Sequence, residues 1–202
     1  MGGTKEAYLK DLKIIDNFLT DEECDYVISL AEPKVQRSTV MGRDKNEVSN
    51  YRTSEHVFLK SSSNPTLKLI AERVSKVNGI PTEYQEDIQI LRYKEGKYYK
   101  PHYDACLDDS ANCRQDRSSR GVRLNTALMY LSDVEEGGET SFNNLGIDVK
   151  PKKGTVVFFT PVVRNEDGSY NHHPCSYHEA MKPEKGTKWS LTVWSRDRKQ
   201  IN

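Results

Sequence analysis

The sequence predicts an α+β protein in which helices near the N-terminus support a jelly roll, and three observations predict it. Two capped amphipathic helices precede Gly79. From Asp87 onward the apolar period changes from about 3.6 residues to 2. The strands that follow are short and are punctuated by turn residues.

The elements can be justified in order. Residues 1–13 are read as an N-terminal extension left by expression, ahead of a single domain at 14–202. Met1-Gly2 resembles an acylation start, but that motif wants Ser or Thr at position six, where Glu6 stands. Thr20-Asp21-Glu22-Glu23 is a capping box that starts a helix running to Ala31. Asn64-Pro65 opens the second, with Leu67, Ile70, Ala71, Val74 and Val77 on one face and Gly79 closing it. Residues 87–93, 123–131, 154–160 and 188–194 are β-branched and aromatic strands. Residues 40–54 and 105–121 read as mobile loops, because they are polar and have little to bury.

Composition narrows the function classes. Among 202 residues, 30 Lys and Arg balance 30 Asp and Glu, so no net charge draws the protein to nucleic acid or an anionic membrane. Only 35% of residues are hydrophobic, but two Trp, eleven Tyr and five Phe can build one core. No run approaches the ~20 apolar residues of a membrane span, and the opening residues lack a secretion signal. The chain therefore reads as soluble and monomeric. A secretory or membrane-anchored native form would need residues upstream. Cys24, Cys106, Cys113 and Cys175 form no C-x-x-C zinc pair, and Cys106 with Cys113 could be a disulfide or two thiols.

His102 and Asp104 lie two apart, so on an extended strand an imidazole and a carboxylate share one face. His172, His173 and His178 offer a third ligand. Two histidines and one carboxylate form the face that holds non-heme Fe(II) and leaves positions open. Alone, H-x-D arises often by chance; its surroundings give it weight.

Four passages supply those surroundings, in order: LRYKEGKYYKPHYD at 91–104, TALMYL at 126–131, EEGGET at 135–140, and His178 with Lys188-Trp189. From about Ile14 to Trp194 the sequence resembles the prolyl 4-hydroxylase family of Fe(II)- and 2-oxoglutarate-dependent dioxygenases, whose fold is a double-stranded β-helix. It is most similar to the small algal, plant and algal-virus type. In that family a lysine ten residues after the second iron-binding histidine pairs with the far carboxylate of 2-oxoglutarate. His178 with Lys188 fits, as does His172 with Lys182. Only Lys188 opens a strand as Lys-Trp with a second Trp six residues on, whereas Lys182 precedes Pro183, a strand breaker.

The resemblance thus implies His102, Asp104 and His178 as iron ligands, with His172 and His173 as loop residues near the mouth. It implies Lys188, Thr140 and Tyr93 as 2-oxoglutarate ligands, with Tyr130 a weaker candidate. O2 is the other co-substrate, and ascorbate dependence is expected. It further implies a proline-rich or collagen-like peptide substrate, met by Tyr99, Arg123, Trp194, Arg52, Ser54 and Glu86, with residues 40–54 covering it. Proline-rich peptide is flat-faced and free of internal hydrogen bonds, so aromatic walls and a few donors suit it. Two positions depart from the family: His56 stands where Gly is usual, and Arg196 replaces a His.

Two rival readings share the fold. A nucleic-acid demethylase would use the same iron face and needs a basic surface; residues 182–199 carry an excess of four positive charges. A jelly-roll binding module would have no need of Lys188.

Overall fold

The computed structural model describes residues 12–41 and 46–200, together with Glu6 and Leu9. The N-terminal extension falls largely outside the described residues, as do residues 42–45. A seven-stranded antiparallel sheet runs β1 (Lys13–Ile15), β12 (Val156–Phe159), β8 (Arg123–Tyr130), β17 (Lys188–Arg196), β6 (Ile88–Tyr93), β5 (Glu55–Leu59) and β2 (Gln36–Arg37). A four-stranded sheet runs β11 (Ile147–Val149), β10 (Thr140–Phe142), β15 (His178–Ala180) and β7 (Tyr99–His102). Short pairs join β3 (Val40–Met41) to β4 (Asn46–Glu47), β9 (Glu136–Gly137) to β16 (Pro183–Lys185), and β13 (Val162–Arg164) to β14 (Tyr170–His172).

The period of two decides what each face of the large sheet does. Ile88, Ile90, Ala127, Met129, Leu191 and Val193 pack against Cys24 and Val27 of α1 (Asp21–Ala31) and Leu67, Ile70 and Val74 of α2 (Pro65–Asn78). Their neighbours Gln89, Leu91, Tyr93, Thr126, Leu128, Lys188, Ser190, Thr192 and Trp194 line a cavity on the opposite face. Tyr130, Val157 and Phe159 pack there against Phe142 and Val149 of the smaller sheet. Helices on one face and the small sheet on the other leave the polar parity of β6, β8 and β17 to form a site.

The helices are capped as their sequences dictate. The Glu23 amide donates to Thr20 Oγ1 at 3.2 Å, and the Thr20 amide donates to Glu23 Oε2 at 3.0 Å. Glu23 also takes two bonds from Arg73 of α2, at 2.9 and 2.7 Å, which ties the helices together. Thr20→Ala is expected to cost about 1 kcal/mol in urea unfolding, the usual worth of such a cap, with the iron and co-substrate side chains unaffected. Asn64 Oδ1 accepts from the Thr66 and Leu67 amides, and Gly79 ends α2 at φ +73°.

Two expectations need correction. Residues 105–121 are not a structureless loop, since Ala111–Arg120 forms a helix, α3. Ser110 Oγ caps it by accepting from the Cys113 amide, and a Cys106–Cys113 disulfide staples it to the preceding segment. It buries one side chain, the disulfide-bonded Cys113, and otherwise holds by ion pairs, so an apolar stripe could not reveal it. Pro183 likewise opens strand β16 rather than breaking one. It sits first in a two-stranded pair, a place where its missing N–H is tolerated.

Candidate active site

A cavity of about 600 Å³ opens between the two sheets. His102 ends β7 and His178 begins β15, and antiparallel pairing puts them directly opposite one another. His102 Nε2 lies 3.7 Å and His178 Nε2 3.9 Å from Asp104 Oδ1. The three ligand atoms all fall within 4.8 Å of one another, a spacing that one ion can bridge.

The groups behind these side chains fix their chemistry. His102 Nδ1 lies 2.8 Å from the Lys100 carbonyl and His178 Nδ1 2.8 Å from the Ser176 carbonyl. A carbonyl only accepts, so both Nδ1 atoms carry the proton and both Nε2 lone pairs point into the cluster. Thr126 Oγ1 donates to Asp104 Oδ2 at 2.7 Å, leaving Oδ1 to face the histidines. Burial, then the neighbouring His102, push His178 down to about 4, which keeps its imidazole neutral. Burial works to raise the Asp104 carboxyl; protonated His178 and His102 would lower it, and with neutral imidazoles the Arg123 guanidinium is the charge that works to lower it.

Lys188 marks the cavity floor. Its side chain is 1% exposed and makes no ion pair among the described residues. Nζ donates to Thr140 Oγ1 at 3.3 Å, and Thr140 in turn accepts from Tyr130 OH at 2.9 Å. The Tyr93 and Tyr130 rings lie 5.7 and 5.4 Å from the amine. Burial lowers Lys188 to about 7, only slightly opposed by Glu139. A buried amine without a counter-charge is costly, and an anion would relieve it.

Aromatics and guanidiniums build the walls. Tyr99 stacks on His102 with ring centroids 3.5 Å apart, and Arg52 lies 4.7 Å above Tyr99. The Arg123 guanidinium lies 3.7 Å over Trp194 and donates to the Asp104 carbonyl at 2.9 Å. Trp194 Nε1 is buried with no hydrogen-bond partner among the described residues. Alternation alone could not assign its face; the helices on the other side of β17 do.

Other candidates stand one layer back. Ser54 is fully buried, is absent from the cavity lining, and accepts from Arg52 Nε at 3.2 Å. Glu86 touches the cavity but is held by Arg120, Arg123 and Arg196. Burial works to raise Glu86, and Arg123 foremost brings it down to about 2. His172 Nε2 reaches the Ala105 carbonyl at 2.8 Å and the ring stacks on Tyr103, while His173 Nδ1 accepts from the Cys175 amide. Neither belongs to the metal cluster. Sequence reasoning missed Thr126, the Asp104 clamp; as a polar residue on the parity opposite Ala127 and Met129, it could have been found.

Comparison with known proteins agrees with this geometry. A model of the 2OG-Fe(II) oxygenase superfamily matches residues 88–196. Prolyl 4-hydroxylase 1 of Arabidopsis thaliana is 36% identical over 202 residues, covering 92% of this chain and 68% of its own. Prolyl 4-hydroxylase 5 of the same plant is 37% identical over 202 residues, covering 90% and 66%. The chain thus spans about two thirds of these relatives. Among solved structures, the viral collagen prolyl hydroxylase of Paramecium bursaria Chlorella virus-1, in complex with 2OG, superposes with a TM-score of 0.70 at 29% identity. That likeness covers 95% of this chain and 98% of the viral one.

Proposed function

The chain belongs to the prolyl 4-hydroxylase family of 2OG-Fe(II) oxygenases, and we propose that it hydroxylates proline within proline-rich or collagen-like peptide. The observation that carries this reading is one cavity holding the His102–Asp104–His178 cluster, Lys188 without a counter-charge, and an aromatic wall with an unpartnered donor.

The donor set fits Fe(II), because neutral imidazoles and a carboxylate suit it better than thiolates. His102, Asp104 and His178 would hold it. Lys188 and Thr140 would receive the far carboxylate of 2-oxoglutarate, with Tyr130 orienting Thr140 from behind and Tyr93 forming the wall beside the amine. The chemistry supplied by bound Fe(II) is the oxidation of an unactivated C–H bond by O2, coupled to conversion of 2-oxoglutarate to succinate and CO2.

The chain's own residues then do the remaining work. Tyr99, Arg123 and Trp194 would flank a polyproline II segment, Trp194 Nε1 donating to a peptide carbonyl. Arg52, propped by Ser54 and by Gln89 Oε1 at 3.2 Å, would cover it with Thr39 and Val40. Closure of this kind excludes water from the reacting centre.

Nucleic acid is disfavoured because the basic C-terminal stretch presents little uncompensated charge. Lys188 and Arg196 are buried, and Lys182, Lys185, Arg198 and Lys199 each lie against an acid. The enzyme is expected to release succinate when given a proline-rich or collagen-like peptide. Release driven only by methylated oligonucleotide would favour the demethylase reading instead.

A further inference from the structure

Arg196 ends β17, is 1% exposed and lines no part of the main cavity, yet its guanidinium joins two elements that build the cavity wall. Nε donates to Glu86 Oε1 at 2.8 Å. Nη1 and Nη2 donate to the two oxygens of Asp116 on α3, at 2.9 and 3.1 Å, and Nη1 also reaches the Gly121 carbonyl at 2.6 Å. This is the bidentate fork that arginine alone supplies, with a further donor left for a second carboxylate.

Glu86 passes the connection on. It accepts from Arg120 Nη2 at 2.8 Å and from Arg123 through both Nε and Nη2, the latter at 2.9 Å. Arg123 then meets the site twice, through the Asp104 carbonyl and the face of Trp194. The disulfide holds the start of α3; its last turns are tied to β17 through Asp116, to Glu86 through Arg120, and to the residues after β17 by Arg198 and Gln200, which donate to the Ser118 and Arg120 carbonyls.

Resting on the peptide reading of the cavity, we propose that Arg196 is a positioning residue for substrate: by gripping Asp116 and Glu86 together it sets the Arg123–Trp194 wall against which the peptide lies. Arg196 Nε and Arg123 Nε both donate to Glu86 Oε1, so the place of that oxygen, and with it the approach of Arg123, is shared with Arg196. A lysine at position 196 is a point donor and can serve only one of the two carboxylates.

The test compares Arg196→Lys and Asp116→Asn with wild type, measuring kcat and KM separately for a proline-rich peptide and for 2-oxoglutarate. Both variants are expected to raise the peptide KM about tenfold, the worth of a charged hydrogen bond, with kcat and the 2-oxoglutarate KM changed less than about twofold. The double variant should be no worse than the poorer single, because both changes cut one link. Should Arg196→Lys fail to fold, Asp116→Asn, at a position near the surface, still decides. An unchanged peptide KM in folded Asp116→Asn, whatever its melting temperature, would overturn the role, as would equal changes for both substrates. Wild-type enzyme that turns over no peptide would overturn the functional reading as well, so the two failures are told apart.

Discussion

His178→Ala is expected to abolish turnover, by about a thousandfold or more, well beyond the roughly 10–100-fold typical of groups behind a metal ligand. His172→Ala is expected to leave most activity. The two histidines sit six residues apart, but only His178 faces His102 across the β7–β15 pair and turns Nε2 toward Asp104. His172 spends Nε2 on the Ala105 carbonyl and its ring on Tyr103. Peptide-dependent succinate release, with metal content measured alongside, checks both. Equal losses from the two changes would mean that the ligand set is wrong.

Lys188→Ala is expected to raise the 2-oxoglutarate requirement at least a hundredfold, since breaking a buried pair costs roughly 3–5 kcal/mol and leaves the far carboxylate unpaired. The pH dependence follows from the same amine. Its folded value of about 7 lies below the unfolded value of 10.5, so the unfolded chain holds the proton more tightly. Buried Lys188 therefore destabilises the free protein at and below pH 7, and this penalty fades as pH rises from about 7 toward 10.5. Lys188→Met should accordingly raise the stability of the free protein, most at low pH, and should lose the stabilisation that added 2-oxoglutarate gives wild type. Binding of 2-oxoglutarate to wild type requires the charged amine, so affinity should weaken by up to about tenfold per pH unit above 7, with proton uptake from buffer. Calorimetry in buffers of different ionisation enthalpy, without oxygen, measures that uptake. No uptake at pH 8 would mean that Lys188 is already charged in the free protein; an unchanged 2-oxoglutarate requirement in Lys188→Ala would show that it is not the anchor.

Much of this was legible in the residues. Thr20 with Glu23 and Asn64 with Pro65 mark helix starts through local bonds, and alternation in 87–93, 123–131 and 188–194 marks strands, because both signals are carried by neighbours in sequence. The Lys188-Trp189 and Trp194 pattern points to His178 over His172 through the family resemblance. What stayed hidden is held by distant partners. Helix α3 has almost no apolar content, so no stripe announces it; it stands on Cys106, Glu86 and Arg196, whose contact with it only the fold creates. Even so, Ser110 before it and Gly121 after it are cap signals of the kind that mark helix ends in a sequence. Glu86 was read as a peptide contact by resemblance, and its enclosure by three arginines could not be inferred from a sequence in which those arginines lie 34, 37 and 110 residues away.

Mass spectrometry of a proline-rich peptide, treated with the Fe(II)-loaded enzyme and 2-oxoglutarate under ¹⁸O-labelled dioxygen, tests the central claim most directly. The account predicts one labelled oxygen per modified site, located on proline and accompanied by succinate. Label on any other residue, oxygen drawn from water instead of dioxygen, or an unmodified peptide beside a fully loaded enzyme would contradict it.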